Sequence, residues 1–228
     1  MGAVQAKRAM VEKRGISPLA VLGIVVLTLV LAAAGWLGWM LIGTNMTART
    51  ASAEALAQIQ QEWANTPPQS FEDDEAPAVD RPDNGEPAWV LRIPSLDGEW
   101  PVFAGVGLDE LNRGVGWYPG SAVPGELGNM AVTAHCVFNG EPFRRLLDLK
   151  VGDQVIVDTD DATFTYEMIA SPASLTVDAN ESWVLDPVPG HTDEVPTKAI
   201  ITLITCEDIF PTADRAVGFG TLTNTETK

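Results

Sequence analysis

Apolar residues run without a charged interruption from Ile16 to Gly43, and Leu19–Leu31 is almost entirely Leu, Val, Ile and Ala. At about 1.5 Å per residue, a helix of this length would reach roughly 42 Å, more than the ~30 Å hydrocarbon core of a bilayer. The pattern therefore predicts a transmembrane helix over 16–43, with Trp36 and Trp39 suited to an interfacial belt. Residues 47–64 are rich in Ala, Gln and Glu, with Leu56, Ile59 and Trp63 at helical spacing, which predicts a short juxtamembrane helix. Residues 66–88 hold five prolines, a run of four acids and almost no core-forming side chains. Such a stretch buries too little apolar surface to offset chain ordering, and reads as an extended spacer.

From Trp89 the texture changes to short β-rich runs bounded by Gly, Pro and Asp. Strands are predicted over 89–93, 100–103, 129–135, 153–158, 162–169, 199–205 and 215–222, with short helical pieces near Leu108–Arg113 and Pro142–Leu149. Seven short strands with few helices point to a mainly β fold, a closed or nearly closed barrel. The division is thus a tail (1–15), a membrane anchor (16–43), a juxtamembrane helix and acidic stalk (44–88) and a folded domain (89–228). No internal repeat is apparent.

Charge sharpens this picture. The chain carries 14 Lys+Arg against 31 Asp+Glu, a net of −17, which argues against nucleic acid as a partner because phosphate binding needs a basic footprint. The balance is +4 over residues 1–49, −8 over 50–88 and −13 over 89–228. Lys7, Arg8, Lys13 and Arg14 precede the apolar run, so the positive-inside rule leaves the N-terminus in the cytoplasm and the folded domain outside. A cleaved signal peptide is the competing reading, with Ala32-Ala33-Ala34 or Ala51-Ser52-Ala53 as small residues. Its hydrophobic region would be about 7–15 residues, far shorter than this run.

Three strand ends hold candidate chemistry. Alternation over 129–136 sets Met130, Val132, Ala134 and Cys136 on one face and Ala131, Thr133 and His135 on the other. The first set is apolar and faces a core, so His135 points to a groove or solvent. The run Ile-Ile-Thr-Leu-Ile-Thr delivers Cys206 to a strand end, and Arg215 opens the next strand nine residues on. A thiolate attacks carbonyl carbon, an imidazole exchanges protons with thiol and leaving amine, and a guanidinium holds an oxyanion. Spacing alone does not separate this trio from an incidental set.

The surrounding residues do more. Gly116–Asn129 (GWYPGSAVPGELGN) leading into Thr133-Ala134-His135, the strand end Thr202-Leu203-Ile204-Thr205-Cys206 and the following Arg215 resemble the sortase family. WYPGSAVPGE and the Phe-Pro-Thr-Ala-Asp-Arg stretch after the cysteine are most similar to class E sortases of high-GC Gram-positive bacteria. The resemblance spans about 88–224 plus the anchor, and implies a closed eight-stranded barrel with short helices. It also implies a cysteine transpeptidase; no cofactor or metal is expected. Cys206 would attack the Thr carbonyl of an LPxTG- or LAxTG-like sorting signal, forming a thioacyl enzyme as the glycine amine leaves. His135 would serve the leaving and incoming amines, and Arg215 the oxyanion, where its planar fork suits better than Lys. Thr205 and Ser121 would line the site, and Trp183 and Leu185 the groove wall formed by 170–198. The partners implied are surface proteins bearing a C-terminal sorting signal and a peptidoglycan precursor or other amine acceptor. The implied location is a single-pass cell-membrane protein with its catalytic domain facing the cell wall.

Four positions depart from the family pattern: Ala134 in place of Gly, Cys136 in place of Arg, and Glu207-Asp208 after the nucleophile. They leave open a sortase-like module that holds surface-protein tails without turnover, Glu207 disfavouring the thiolate. A class C- or D-like pilin-assembling sortase is a further alternative, and a thiol redox protein is disfavoured by the lack of Cys-x-x-Cys. Alternation aims Cys136 away from the His135 face, so a buried free thiol is expected rather than a disulfide with Cys206. Adjacent strand residues diverge, which argues against zinc on His135, Cys136, His191 and Cys206. His191 reads as a loop residue, and Asp158–Asp161 as a hairpin turn rather than a calcium loop.

Overall fold

The computed structural model describes residues 17–66, 78–207 and 212–228. The basic tail, the acidic run Glu72–Glu75 and Asp208 lie outside the described residues. Two compact units divide between Met40 and Leu41. The first holds helix α1 (Pro18–Gly38), opened by Ser17, whose hydroxyl accepts from the Ala20 amide, with Pro18 at the first helical position. None of its residues is buried, and its mean hydropathy of 2.5 makes it long and apolar enough to cross a bilayer. A π-helical stretch, Trp39–Gly43, follows.

The second unit holds α2 (Thr44–Asn65) and the β domain. Ala48, Ala55 and Ile59 are buried, so small residues let α2 approach the barrel closely. Nine strands follow: β1 (Pro87–Ile93), β2 (Gly98–Ala104), β3 (Val115–Trp117), β4 (Gly128–Thr133), β5 (Gln154–Asp158), β6 (Ala162–Ala170), β7 (Thr176–Asp178), β8 (Ala199–Cys206) and β9 (Asp214–Thr227). A four-residue helix, α3 (Leu108–Leu111), lies between β2 and β3. Each of the seven expected strands is present, whereas β3 and β7 fall where none was expected. The sheet order is β6-β5-β1-β2-β3-β4-β8-β9-β7, and β6 also pairs with β9. That pairing closes eight strands into a barrel and leaves β7 as an extension on β9. Pairings β2–β3 and β4–β8 are parallel; the rest are antiparallel.

Leu91, Val102, Met130, Val157, Tyr166 and Leu203 are among the side chains filling the interior. Full burial of each aliphatic one is worth about 1.5–3 kcal/mol. Tyr166 is the one phenol inside, and its oxygen accepts from the Gly125 amide at 2.9 Å. Burial pushes its pKa up to about 12. Between β5 and β6, Asp158 is engaged by Arg92 at 2.5 Å and by the Thr163 hydroxyl at 2.6 Å, as suits a hairpin turn.

Candidate active site

The parallel pairing of β4 with β8 carries both strands toward one rim. Their register sets Thr133 opposite Ile204. Two threonines bind the strand ends: the Thr133 hydroxyl donates to the Ile204 carbonyl at 2.9 Å, and the Thr205 hydroxyl to the Ala134 carbonyl at 3.2 Å. His135 and Cys206, each one residue beyond those bonds, therefore share the rim. Across the antiparallel β8–β9 ladder Cys206 faces Arg215 directly. Direct cross-strand partners share a sheet face, so the Cys206–Arg215 pair, Ile204–Val217 below it and Thr202–Phe219 below that form one outer floor. Arg215 is held by donating to the carbonyls of Thr212 and Asp214, both at 2.9 Å.

His135 is half-buried. Its Nε2 is shielded from solvent and has no hydrogen-bond partner among the described residues. Burial lowers its pKa below the ordinary 6.5, favouring the neutral imidazole. An unpartnered buried ring nitrogen is costly to a fold, and such costs concentrate where chemistry needs them.

Cys136 is not the free thiol expected. It forms a disulfide with Cys206, with Cα atoms 5.9 Å apart. The expectation extended strand alternation through residue 136, but β4 ends at Thr133. Alternation correctly places Met130, Val132 and Ala134 in the core; beyond that the chain bends and turns Cys136 toward β8. The bend leads into consecutive left-handed residues, Phe138 (φ 61°), Asn139 (48°), Gly140 (85°) and Glu141 (54°). Helix α2 clamps this loop. Asn45 Nδ2 donates to Glu141 Oε1 at 3.0 Å, and the Gly140 amide donates to Asn45 Oδ1 at 2.9 Å. Burial would raise the Glu141 pKa, but hydrogen bonds from Arg144, Asn45 and the Phe138 amide outweigh it and hold the carboxyl below its usual range.

On the floor below Cys206, Val177, Val184, Ile204 and Val217 form an apolar cluster joined by Tyr118 and Trp183. Leu185 also packs against it, so the 3-10 turn Trp183–Leu185 covers one side of the cluster. Buried Asn129 fastens that turn: its Nδ2 donates to the carbonyls of Val184 at 2.8 Å and Asp186 at 3.1 Å, and its Oδ1 accepts from Thr202 at 2.6 Å. Sequence reasoning gave Asn129 no role, although an amide within Gly-Asn-Met-Ala-Val-Thr was the available signal. It likewise passed over Tyr118, which packs against the apolar cluster and lies near Arg215. Burial, opposed by that arginine, raises its phenol pKa.

The remaining predicted residues are more dispersed. Thr205 is buried, its hydroxyl spent on Ala134. Ser121 Oγ accepts from the Ala131 amide at 3.2 Å and lines, with Leu185 and Asn129, a separate cavity of about 280 Å³. His191 sits exposed 3.8 Å from Glu194.

The Sortase domain family matches residues 91–223. The chain belongs to the sortase family. It is 34% identical over 186 residues to Sortase SrtE1 of Streptomyces coelicolor, covering 78% of this chain and 49% of that protein. The sortase thus spans about half the length of that relative. It is 32% identical over 140 residues to Sortase D of Bacillus subtilis, covering 61% of this chain and 69% of that one. Among solved structures it is similar to Sortase E1 of Streptomyces coelicolor with a tripeptide in the active site. That match has a TM-score of 0.56 and 29% identity, covering 63% of this chain and 91% of that one. The barrel is therefore a sortase architecture, in a family of cysteine transpeptidases.

Proposed function

We propose that this sortase cleaves an LPxTG- or LAxTG-like C-terminal sorting signal between Thr and Gly and transfers the new carbonyl end to an amine. The observation that carries this reading is the rim itself: Cys206 opposite Arg215 on one face, the His135 segment fastened beside them, and an apolar cluster directly below. The partly exposed margin of that cluster, formed by Tyr118, Trp183 and Leu185, receives the apolar residues of the signal. The tripeptide in the active site of the similar Sortase E1 supports a peptide ligand here.

The chemistry starts from reduced Cys206. Neutral His135 takes the thiol proton, and the thiolate attacks the Thr carbonyl carbon. Arg215 balances the charge developing on the carbonyl oxygen. Collapse breaks the C–N bond, with His135 returning the proton to the departing glycine amine. The incoming amine, a peptidoglycan precursor or equivalent, then loses a proton to His135 as it attacks the thioacyl carbon and frees Cys206. Thr205 and Asn129 act as positioning residues, the first on the His135 segment and the second on the Trp183–Leu185 turn. Ser121 lines the cavity beside that turn. The basic tail and apolar α1 support a single-pass anchor with its N-terminus in the cytoplasm and the domain facing the cell wall.

Cys206→Ala is expected to fold while forming no thioacyl adduct with a sorting-signal peptide, as read by intact mass. Turnover by that variant would overturn the assignment. One observation favours a second reading, a tail-holding module without turnover: Cys206 is disulfide-bonded. Peptide cleavage after reduction decides between them, because a holding module would bind the peptide and leave it intact.

A further inference from the structure

The chain has two cysteines, and they are bonded to each other at the rim. This bond does little that the fold has not already done. Six consecutive register pairs join β4 to β8, and the Thr133 and Thr205 hydroxyls fasten their ends. Neither sulfur residue is sealed in the core. Both are half-buried and line a cavity of about 430 Å³, together with Asn45, Val137, Phe138 and Phe143. A small thiol or peroxide entering that cavity meets both cysteines. The loop carrying Cys136 is held by Asn45 and Glu141 rather than by the disulfide, so its partner remains within reach when the bond opens.

From this arrangement we propose that Cys136 is a resolving thiol, which captures oxidised Cys206 as a reversible disulfide and lets a dithiol restore the nucleophile. The proposal rests on Cys206 being the nucleophile. A hydroperoxide supplies the oxidising equivalents. The Cys206 thiolate attacks one peroxide oxygen, the O–O bond breaks, and sulfenic acid and water result once a proton is taken up. Cys136 thiolate then attacks the Cys206 sulfur, the S–O bond breaks and a second water leaves, so two thiols and one hydrogen peroxide become one disulfide and two waters. A dithiol reverses it: one sulfur attacks the disulfide to give a mixed disulfide, and its second sulfur closes a ring and releases the protein thiol. The dithiol is oxidised by two electrons and both cysteines are reduced. Without Cys136 the sulfenic acid stays exposed to a second peroxide, whose product, sulfinic acid, dithiols do not reduce. Cys136 thus trades a permanent loss for a temporary off state.

The test uses the full chain in detergent, first reduced with dithiothreitol, then exposed to hydrogen peroxide, then reduced again. Sorting-peptide cleavage, intact mass and iodoacetamide labelling of Cys206 are followed throughout. Wild type is expected to lose about 2 Da and its labelling on oxidation, and to regain labelling and cleavage on re-reduction. Cys136→Ala is expected to cleave normally before oxidation, then to gain oxygen on Cys206 and recover roughly tenfold less activity than wild type. Cys136→Ser, closest in shape, should behave the same, and covers the case in which the alanine variant misfolds. The proposal is overturned if peroxide takes wild-type Cys206 to sulfinic acid without a disulfide, or if wild type and both variants recover equally. Should reduced wild type fail to cleave while its disulfide still opens and closes, the transpeptidase reading falls and this proposal falls with it, whereas intact cleavage with equal recovery in wild type and variants overturns the proposal alone.

Discussion

His135 combines half-burial with a ring nitrogen that finds no partner among the described residues, and this sets the direction of its pH behaviour. With its pKa below 6.5, the base form persists into mildly acidic solution. The acid limb of kcat/KM for peptide cleavage is therefore expected below pH 6.5, and a limb above that value would contradict the assignment. Stability follows with the same sign. Between 6.5 and the lower folded-state value, the unfolded chain binds a proton that the folded chain refuses, so stability falls as pH falls through that window. Arg215 supplies the complementary case. Its guanidinium donates to two carbonyls from one nitrogen, leaving the rest of the fork for substrate. Arg215→Lys keeps the charge but loses that geometry, and is expected to lower kcat by roughly 10–100-fold with little change in melting temperature.

Among the elements, α2 differs most from its sequence-level description as the start of a stalk. Asn45 makes hydrogen bonds to two residues of the left-handed loop that follows Cys136, and Ala48 packs where Gly140 offers no side chain. Asn45→Ala strands the Gly140 amide and removes a donor to Glu141. The expected cost is about 1–3 kcal/mol by urea unfolding, with faster amide exchange over 137–142. If exchange there is unchanged, α2 does not clamp the loop. The strands show what periodicity can and cannot convey. β8 was legible because Ile-Ile-Thr-Leu-Ile-Thr is a long β-branched run, and its end located Cys206. β3 and β7, three residues each, exist because neighbouring strands offer a ladder, and no local pattern announces that. Alternation found the inward face of β4 yet mispointed Cys136, because nothing local marks where pairing stops. Asn129 and Tyr118 were visible as residues, but their partners lie on segments that only the closed barrel brings near.

For the whole molecule, the net of −17 resolves into parts with different work. Residues 41–228 form a compact unit that includes α2, whereas α1 buries none of its surface. A chain beginning at Leu41 is expected to leave the membrane fraction and still cleave the sorting peptide. Starting after Asn65 instead also strips Ile59, whose burial corresponds to about 1.5–3 kcal/mol, and that chain should unfold at lower urea. Equal midpoints for the two chains would show that α2 adds nothing to the domain.

Strands that run parallel cannot be joined by a tight turn, and here the route from β4 to β8 passes through β5, β6 and β7. Cys136 and Cys206 consequently lie 70 residues apart in the chain. Imidazole and thiol meet only after loops of that length have closed, which places their encounter late and makes it slow. A chain that has not yet paired β4 with β8 lacks the imidazole beside Cys206 that the proposed cleavage needs. Competence to break a peptide bond is thereby a certificate of completed folding, issued by topology alone.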